Sequence, residues 1–241
     1  MNIDEVENAV RRVLKKHPEA LKAVASSQSK LLELAAVTGV AEHFKHLGFE
    51  IKVAGKTPDG AFLVKTSTRG HPWNFSRFEI ASDDEKMEIH MNLVVRGAHD
   101  EGVYCVDVGV VSAGVIPIKK PKEKWICAPN DALVSFAEAK KLVIYPMLLA
   151  QFVGIVHEIM PSFLKKFKKG PAKNPHLPPA LVVLGHYSGN SAKIVGAYKK
   201  RGINVMIAES YDYRLMRARK EKISPFYASE LENSDPGTAE Y

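Results

Sequence analysis

Two cysteines in 241 residues are too few to staple a fold, so the chain is no disulfide-framed secreted scaffold. Cys105 and Cys127 both lie in apolar surroundings and read as reduced, structural thiols, which fits a cytoplasmic protein. Neither has a C-x-x-C partner. His71, His90, His157 and His186 show no H-E-x-x-H spacing, so zinc is not expected. No apolar run approaches the roughly 18 residues needed to cross a bilayer, so no membrane partner is expected. Residues 1–28 are charged and lack the apolar segment of a secretory leader. There is no internal repeat, no low-complexity block and no Walker Gly-Lys-Ser/Thr pattern.

What is present is an ordinary globular composition, 46% apolar and 25% charged, enough to build a sizeable core. The net charge of +7 favours a polyanionic partner such as nucleic acid. Lys165-Lys166-Phe167-Lys168-Lys169 concentrates that charge. Phosphate contact is one reading of this cluster. A solvated helix end, where lysines complement the helix dipole, is the other.

Apolar spacing predicts a helix over 3–24, interrupted by Pro18, and a second helix capped by Ser29 and stopped by Gly48. Strands are predicted over 49–53 and 61–64 around a Pro58-Asp59-Gly60 turn, then over 88–95 and 104–111 as a hairpin. Residues 66–78 read as a polar, aromatic loop and 112–131 as a long, proline-containing connection. A strand over 132–140 precedes a long apolar helix over roughly 142–167. A basic linker, a strand at 180–184, a helix at 189–201 and a strand at 203–208 follow. The last three form a unit expected to be parallel and right-handed. The order predicts one α/β domain with a mixed sheet and helices on both faces. An N-terminal helical extension (1–28) precedes this domain (29–228), and an acidic, disordered tail (229–241) follows it.

The most informative residues interrupt the apolar strands. Asp107 lies inside Tyr104–Val111, and Glu138-Ala139-Lys140 ends Ala132–Ala137. Charges in buried strands are costly unless they are paired or bind a metal. Glu138 and Lys140, two residues apart, share a strand face. A buried ion pair is one explanation; a divalent-metal site beside a lysine is the other.

Val106-Asp107 with Glu138-Ala139-Lys140 resembles the PD-(D/E)xK nuclease signature, with Val106 where the family's proline is usual. The resemblance extends to the element order over 29–208 and implies a restriction-endonuclease-like fold. It implies that Asp107, Glu138 and the Ala139 carbonyl bind Mg²⁺ or Mn²⁺, and that Lys140 orients or activates the attacking water. A dication beside Lys140 is expected to push its ammonium toward the neutral form. The family often adds an acidic ligand from the first core helix, here Glu33, with Glu42 second. It often adds a glutamine on the following helix, here Gln151. The exonuclease-type subclass has a tyrosine four residues later, and this chain has Ile155 there. The implied activity is DNA hydrolysis, endonucleolytic in type, with RNA open as a substrate and a homodimer suited to double-strand cuts.

Further candidates surround this cluster. Arg69, Trp73 and Arg77 mix cation and aromatic as base-stacking loops do, although Trp73 folded onto the core is the competing reading. Lys141, Lys165 and Lys166 are the candidate phosphate contacts. His90 and His157 read as satisfied core or rim residues. Gly185–Ser191 precedes a helix, whose N-terminus attracts anions, but reads as a turn capped by Ser188 or Asn190. Two other functions stay open: an idle nucleic-acid-binding or regulatory module on the same fold, and a small-molecule enzyme holding a phosphate at 185–191.

Overall fold

A computed structural model of the chain describes residues 28–55, 58, 62–116, 126–165 and 177–209. The helix expected over 3–24, Lys166 with the basic stretch after it, and the expected acidic tail lie outside the described residues.

Seven strands form one sheet in sequential order: β1 Glu50–Ala54, β2 Arg77–Ala81, β3 Lys86–Arg96, β4 Val103–Ser112, β5 Leu133–Lys140, β6 Ala180–Val183 and β7 Met206–Ala208. Strands β1 to β5 are antiparallel neighbours, while β5, β6 and β7 run parallel. The helices are α1 Gln28–His46, α2 Pro146–Ile159 and α3 Ser191–Arg201. Leu32, Ala36, Val37, Val40, Ala41 and Phe44 of α1 recur at helical spacing and pack on one sheet face. Leu148, Leu149, Phe152, Val156 and Ile159 of α2, with Tyr198 of α3, cover the other. This is the expected mixed α/β architecture, with helices on both faces of the sheet.

Several boundaries differ from expectation, each for a local reason. Ser29 lies inside α1, which already includes Gln28, so it does not cap the helix. Gly48, at φ +93°, takes the left-handed conformation that ends α1. Residues 62–64 are not a strand. The Leu63 N–H donates to the Ser76 hydroxyl at 2.7 Å, which replaces ladder pairing. The expected loop over 66–78 contains a 3-10 turn at Pro72–Asn74 and ends in β2. The helix expected over 142–167 is shorter. Pro146 occupies its first turn, and Pro161 forces Met160 out of helical geometry, to φ −141° and ψ 56°. A 3-10 turn at Pro161–Leu164 follows.

Two irregularities set up the centre of the sheet. In β3, Met87, Ile89 and Met91 face α1, yet Leu93 and Val95 belong to the core under α2. In β4, Val110 and Val108 face α1 while Val106 faces α2. Regular alternation keeps residues two apart on one face, so both strands change sides between Met91 and Leu93 and between Val108 and Val106. Those residues pair in register, which leaves Asn92 opposite Asp107 at the crossover. Close by, β4–β5 pairing ends at Val108 with Ala137, while β5 continues along β6 as far as Lys140 with Val183. The sheet therefore forks at the two residues that come next, Asp107 and Glu138.

Past the fork, residues 140–144 and 184–188 stay side by side through Gly185 N–H to the Leu142 carbonyl and Ile144 N–H to the His186 carbonyl. A Cβ on Gly185 would stand 2.6 Å from the Leu142 carbonyl oxygen and 2.7 Å from Val143 Cα, both backbone atoms with no room to move. Gly185→Ala is therefore expected to lower unfolding free energy by about 1–3 kcal/mol in urea titrations. An unchanged midpoint would contradict this close approach.

Candidate active site

The fork gathers three charged groups. Lys140 Nζ donates to Asp107 Oδ2 at 2.9 Å and to Glu138 Oε2 at 2.7 Å. The Ala139 N–H donates to Asp107 Oδ2 at 2.8 Å, so a side chain supplies the acceptor where the β4–β5 ladder has stopped. Side-chain exposure rises from 6% at Glu138 through 17% at Asp107 to 35% at Lys140, so the cluster opens to solvent at the lysine. Glu138 Oε1 is buried and has no hydrogen-bond partner.

The electrostatics follow from two carboxylates sharing one ammonium. Burial, reinforced by the Asp107 charge, pushes the Glu138 carboxyl up to about 7, and Lys140 only partly opposes this. For Lys140, burial disfavours the charge, but Glu138 and Asp107 outweigh it and raise the ammonium above its ordinary value. Without a metal, the two carboxylates therefore hold Lys140 protonated; the expected push toward the neutral form belongs to the site with a dication bound.

Glu33 is buried on α1 and already engaged. It pairs with Lys30 at 2.7 Å and accepts from Asn92 Nδ2 at 3.0 Å. Asn92 Nδ2 also donates to the Lys65 carbonyl, and Lys65 Nζ donates back to the Asn92 carbonyl at 2.6 Å. Burial lowers the Lys65 ammonium to about 8. This network adjoins the fork through Asn92, which stands opposite Asp107 in the β3–β4 register, and the Cys105 thiol lies on the same strand as Asp107. Burial, the largest of its influences, pushes that thiol up to about 11. Cys105 and Cys127 are both free thiols. Sequence reasoning missed Lys65 and Asn92. The available signal was the one used for Asp107, a polar residue in or directly after an apolar run.

The other candidates are exposed, line a separate groove or are spent within the fold. Glu42 lines a groove with Phe49, Ile51 and Phe78 at the β1–β2 end of the sheet. Gln151 is exposed on α2. Trp73 donates its indole N–H to the Ile116 carbonyl at 3.0 Å. The Arg77 guanidinium stacks 4.1 Å from the Trp73 ring centre and pairs with Glu79. These contacts commit both residues to the interior arrangement rather than to a free stacking surface. Arg69, Lys141 and Lys165 are exposed.

His90 is buried against Glu88 at 3.0 Å, a satisfied core histidine, and His157 pairs with Glu158 near the surface. Several polar groups of the 185–191 turn are occupied, although the buried Ser191 hydroxyl has no partner among the described residues. The Ser188 hydroxyl and N–H both donate to the Ile144 carbonyl, and the Tyr187 N–H donates to Glu209. Neither Ser188 nor Asn190 caps α3 through its side chain, contrary to expectation, because Ser188 is drawn to Ile144 instead.

No family model matches the chain, and no curated protein does. Among solved structures, P. aeruginosa ATCC27853 NucC in its cAAA-bound form is similar at 15% identity. That likeness covers 85% of this chain and 89% of that one, with a TM-score of 0.36. At that level the functional reading rests on the residues themselves. No helix among the described residues is long and apolar enough to cross a membrane.

The raised Glu138 carboxyl makes a pH-dependent contribution to stability. The group binds its proton more tightly folded, near 7, than at its ordinary 4.5. Its stabilising contribution is therefore complete below about 4.5 and is lost as pH rises through about 7. Glu138→Gln keeps a neutral side chain at every pH. In chelator-treated protein, the Tm advantage of Glu138→Gln over the parent is expected to be near zero at pH 4.5 and to grow up to pH 7. A pH-independent difference would count against this titration.

Proposed function

We propose that this chain is a Mg²⁺- or Mn²⁺-dependent phosphodiesterase that hydrolyses DNA, with RNA as the alternative substrate to be tested. The observation that carries the reading is Glu138 Oε1, a buried acceptor without a donor, beside a second carboxylate and a lysine at a solvent-reaching fork. Such an atom is costly unless a proton or a cation completes it. The donor set of carboxylate and carbonyl oxygens suits a hard dication. Mg²⁺ keeps several of its waters and needs few protein ligands. Among the described residues no group of three or more His, Cys, Asp and Glu side chains is arranged around a common point. The protein's share would therefore be Asp107, Glu138 and the Ala139 carbonyl. Glu33 stays a proposed outer acid, held by Lys30 and Asn92.

The ion, when bound, lowers the pKa of a coordinated water and polarises the phosphate. Asp107 and Glu138 bind and orient. Lys140, the most exposed of the three, would orient or activate the water and offset the charge that the phosphate oxygen gains. Glu138 must lose its proton to serve as a ligand, so metal affinity is expected to rise with pH up to about 7. Exposed Arg69, Lys141 and Lys165 are the proposed backbone contacts, with Lys166 next to Lys165 in sequence, and Trp73 and Arg77 are left out. Gln151, exposed on α2, is a proposed contact to substrate. A homodimer is the assembly suited to double-strand cutting.

One observation favours the idle-module reading: Lys140 already closes on both carboxylates, as a purely structural ion pair does. Calorimetry with Mn²⁺ at pH 8 and cleavage assays on plasmid, linear, single-stranded DNA and RNA separate the two. Asp107→Ala and Glu138→Ala are expected to abolish both metal binding and cleavage. Lys140→Ala is expected to retain metal binding and to lose at least about a hundredfold in cleavage rate. A parent protein that binds no Mn²⁺ would favour the idle module.

A further inference from the structure

Asn92 is the only non-glycine residue with positive φ among the described residues, at +47°. It lies mid-strand in β3, where a left-handed residue is out of place. Asparagine tolerates this conformation better than most side chains, while β-branched residues adopt it only under strain. The position coincides with the crossover. Met91 faces α1 and Leu93 faces α2, and Val108 and Val106 divide in the same way. Asn92 therefore turns the tip of the β3–β4 hairpin over at the register position opposite Asp107.

The side chain ties that turn to α1. Asn92 is 5% exposed, and Nδ2 divides its protons between Glu33 Oε2 at 3.0 Å and the Lys65 carbonyl at 2.9 Å. The Asn92 carbonyl, redirected by the crossover, takes the Lys65 ammonium at 2.6 Å. Lys65 is thus both acceptor and donor to one residue, which clamps the left-handed backbone. A hydrogen bond from Asn92 to Glu33 thus links α1 to the β3 position that faces Asp107 in register.

We infer that Asn92 is a positioning residue for the metal centre: its backbone turn sets the Asp107 strand at the fork, and its amide holds Glu33 beside it. This deepens the metal-site reading and rests on it. The inference separates two functions of one residue, and two substitutions separate them. Asn92→Gly keeps the left-handed backbone and removes the amide. Asn92→Val disfavours the backbone itself.

The experiment uses the full chain. Thermal unfolding of metal-free protein is expected to place Asn92→Gly within a few degrees of the parent and Asn92→Val well below it. The reverse order would overturn the backbone part whatever the metal does. Calorimetry with Mn²⁺ is expected to show at least a tenfold weaker affinity for Asn92→Gly, although it remains folded. A double-mutant cycle with Glu33→Ala adds a readout that general loosening would not move. If Asn92 acts through Glu33, the double mutant binds Mn²⁺ no worse than the weaker single mutant. Additive losses, or parental affinity in Asn92→Gly, would overturn the inference while leaving the metal site standing. A parent that binds no Mn²⁺ overturns both together.

Discussion

The centre of this molecule depends on one substitution of partner: the Asp107 carboxylate, rather than a β4 carbonyl, accepts the Ala139 N–H. A ladder that ran on past Val108 and Ala137 would zip β4 to β5 and close the fork. Because a side chain satisfies that N–H, β4 leaves β5 without orphaning a buried donor. β5 then continues along β6, which is parallel to it, while β4 follows β3. The fork is the place where antiparallel and parallel halves of the sheet part company, and the charged residues occupy it.

Charge explains why this arrangement is poised rather than closed. Asp107 and Glu138 bring two negative charges and Lys140 one positive, and Glu138 and Asp107 together favour that positive charge. The excess negative charge falls on the most buried member, which is why the Glu138 carboxyl climbs to about 7. Deprotonated, the site is one positive charge short; protonated, it is balanced. Under the proposed function, a dication overshoots that balance by one, and the phosphate it attracts restores it. The same groups that make the metal-free site awkward make it selective for a cation and then for an anion.

Much of this was legible in the sequence, for identifiable reasons. Period-two alternation located β3, β4 and β5, and the apolar charge-breakers Asp107, Glu138 and Lys140 marked the fork. The parallel strand–helix–strand unit followed from its spacing. What stayed hidden was non-local. Arg77–Ala81 is only five residues long and follows a polar loop, so β2 emerges only from pairing with β1 and β3. Trp73 and Arg77 looked like a mixed recognition loop because Ile116, which Trp73 bonds, and Glu88, beside Arg77, belong to other segments. Gln151 stood in an apolar stretch, yet a helix shows one stripe to solvent even when its mean composition is apolar.

Asn92 carries the most instructive failure, because strand periodicity assumes that a strand keeps its faces. Ile89, Met91, Leu93 and Val95 alternate without interruption in the sequence, and every one of them is buried. The pattern survives because both faces of this sheet are covered, so a residue that changes sides still meets a core. A half-exposed sheet would have exposed the switch as a break in alternation. Double coverage thus does two things: it lets the β3–β4 tip turn over at Asn92 without exposing apolar surface, and it erases the sign of the turn from the sequence. The remaining trace is chemical, an amide in an apolar strand opposite an acid in an apolar strand. Neither residue is there for packing: Asn92 is held by Glu33 and Lys65, and Asp107 by Ala139 and Lys140.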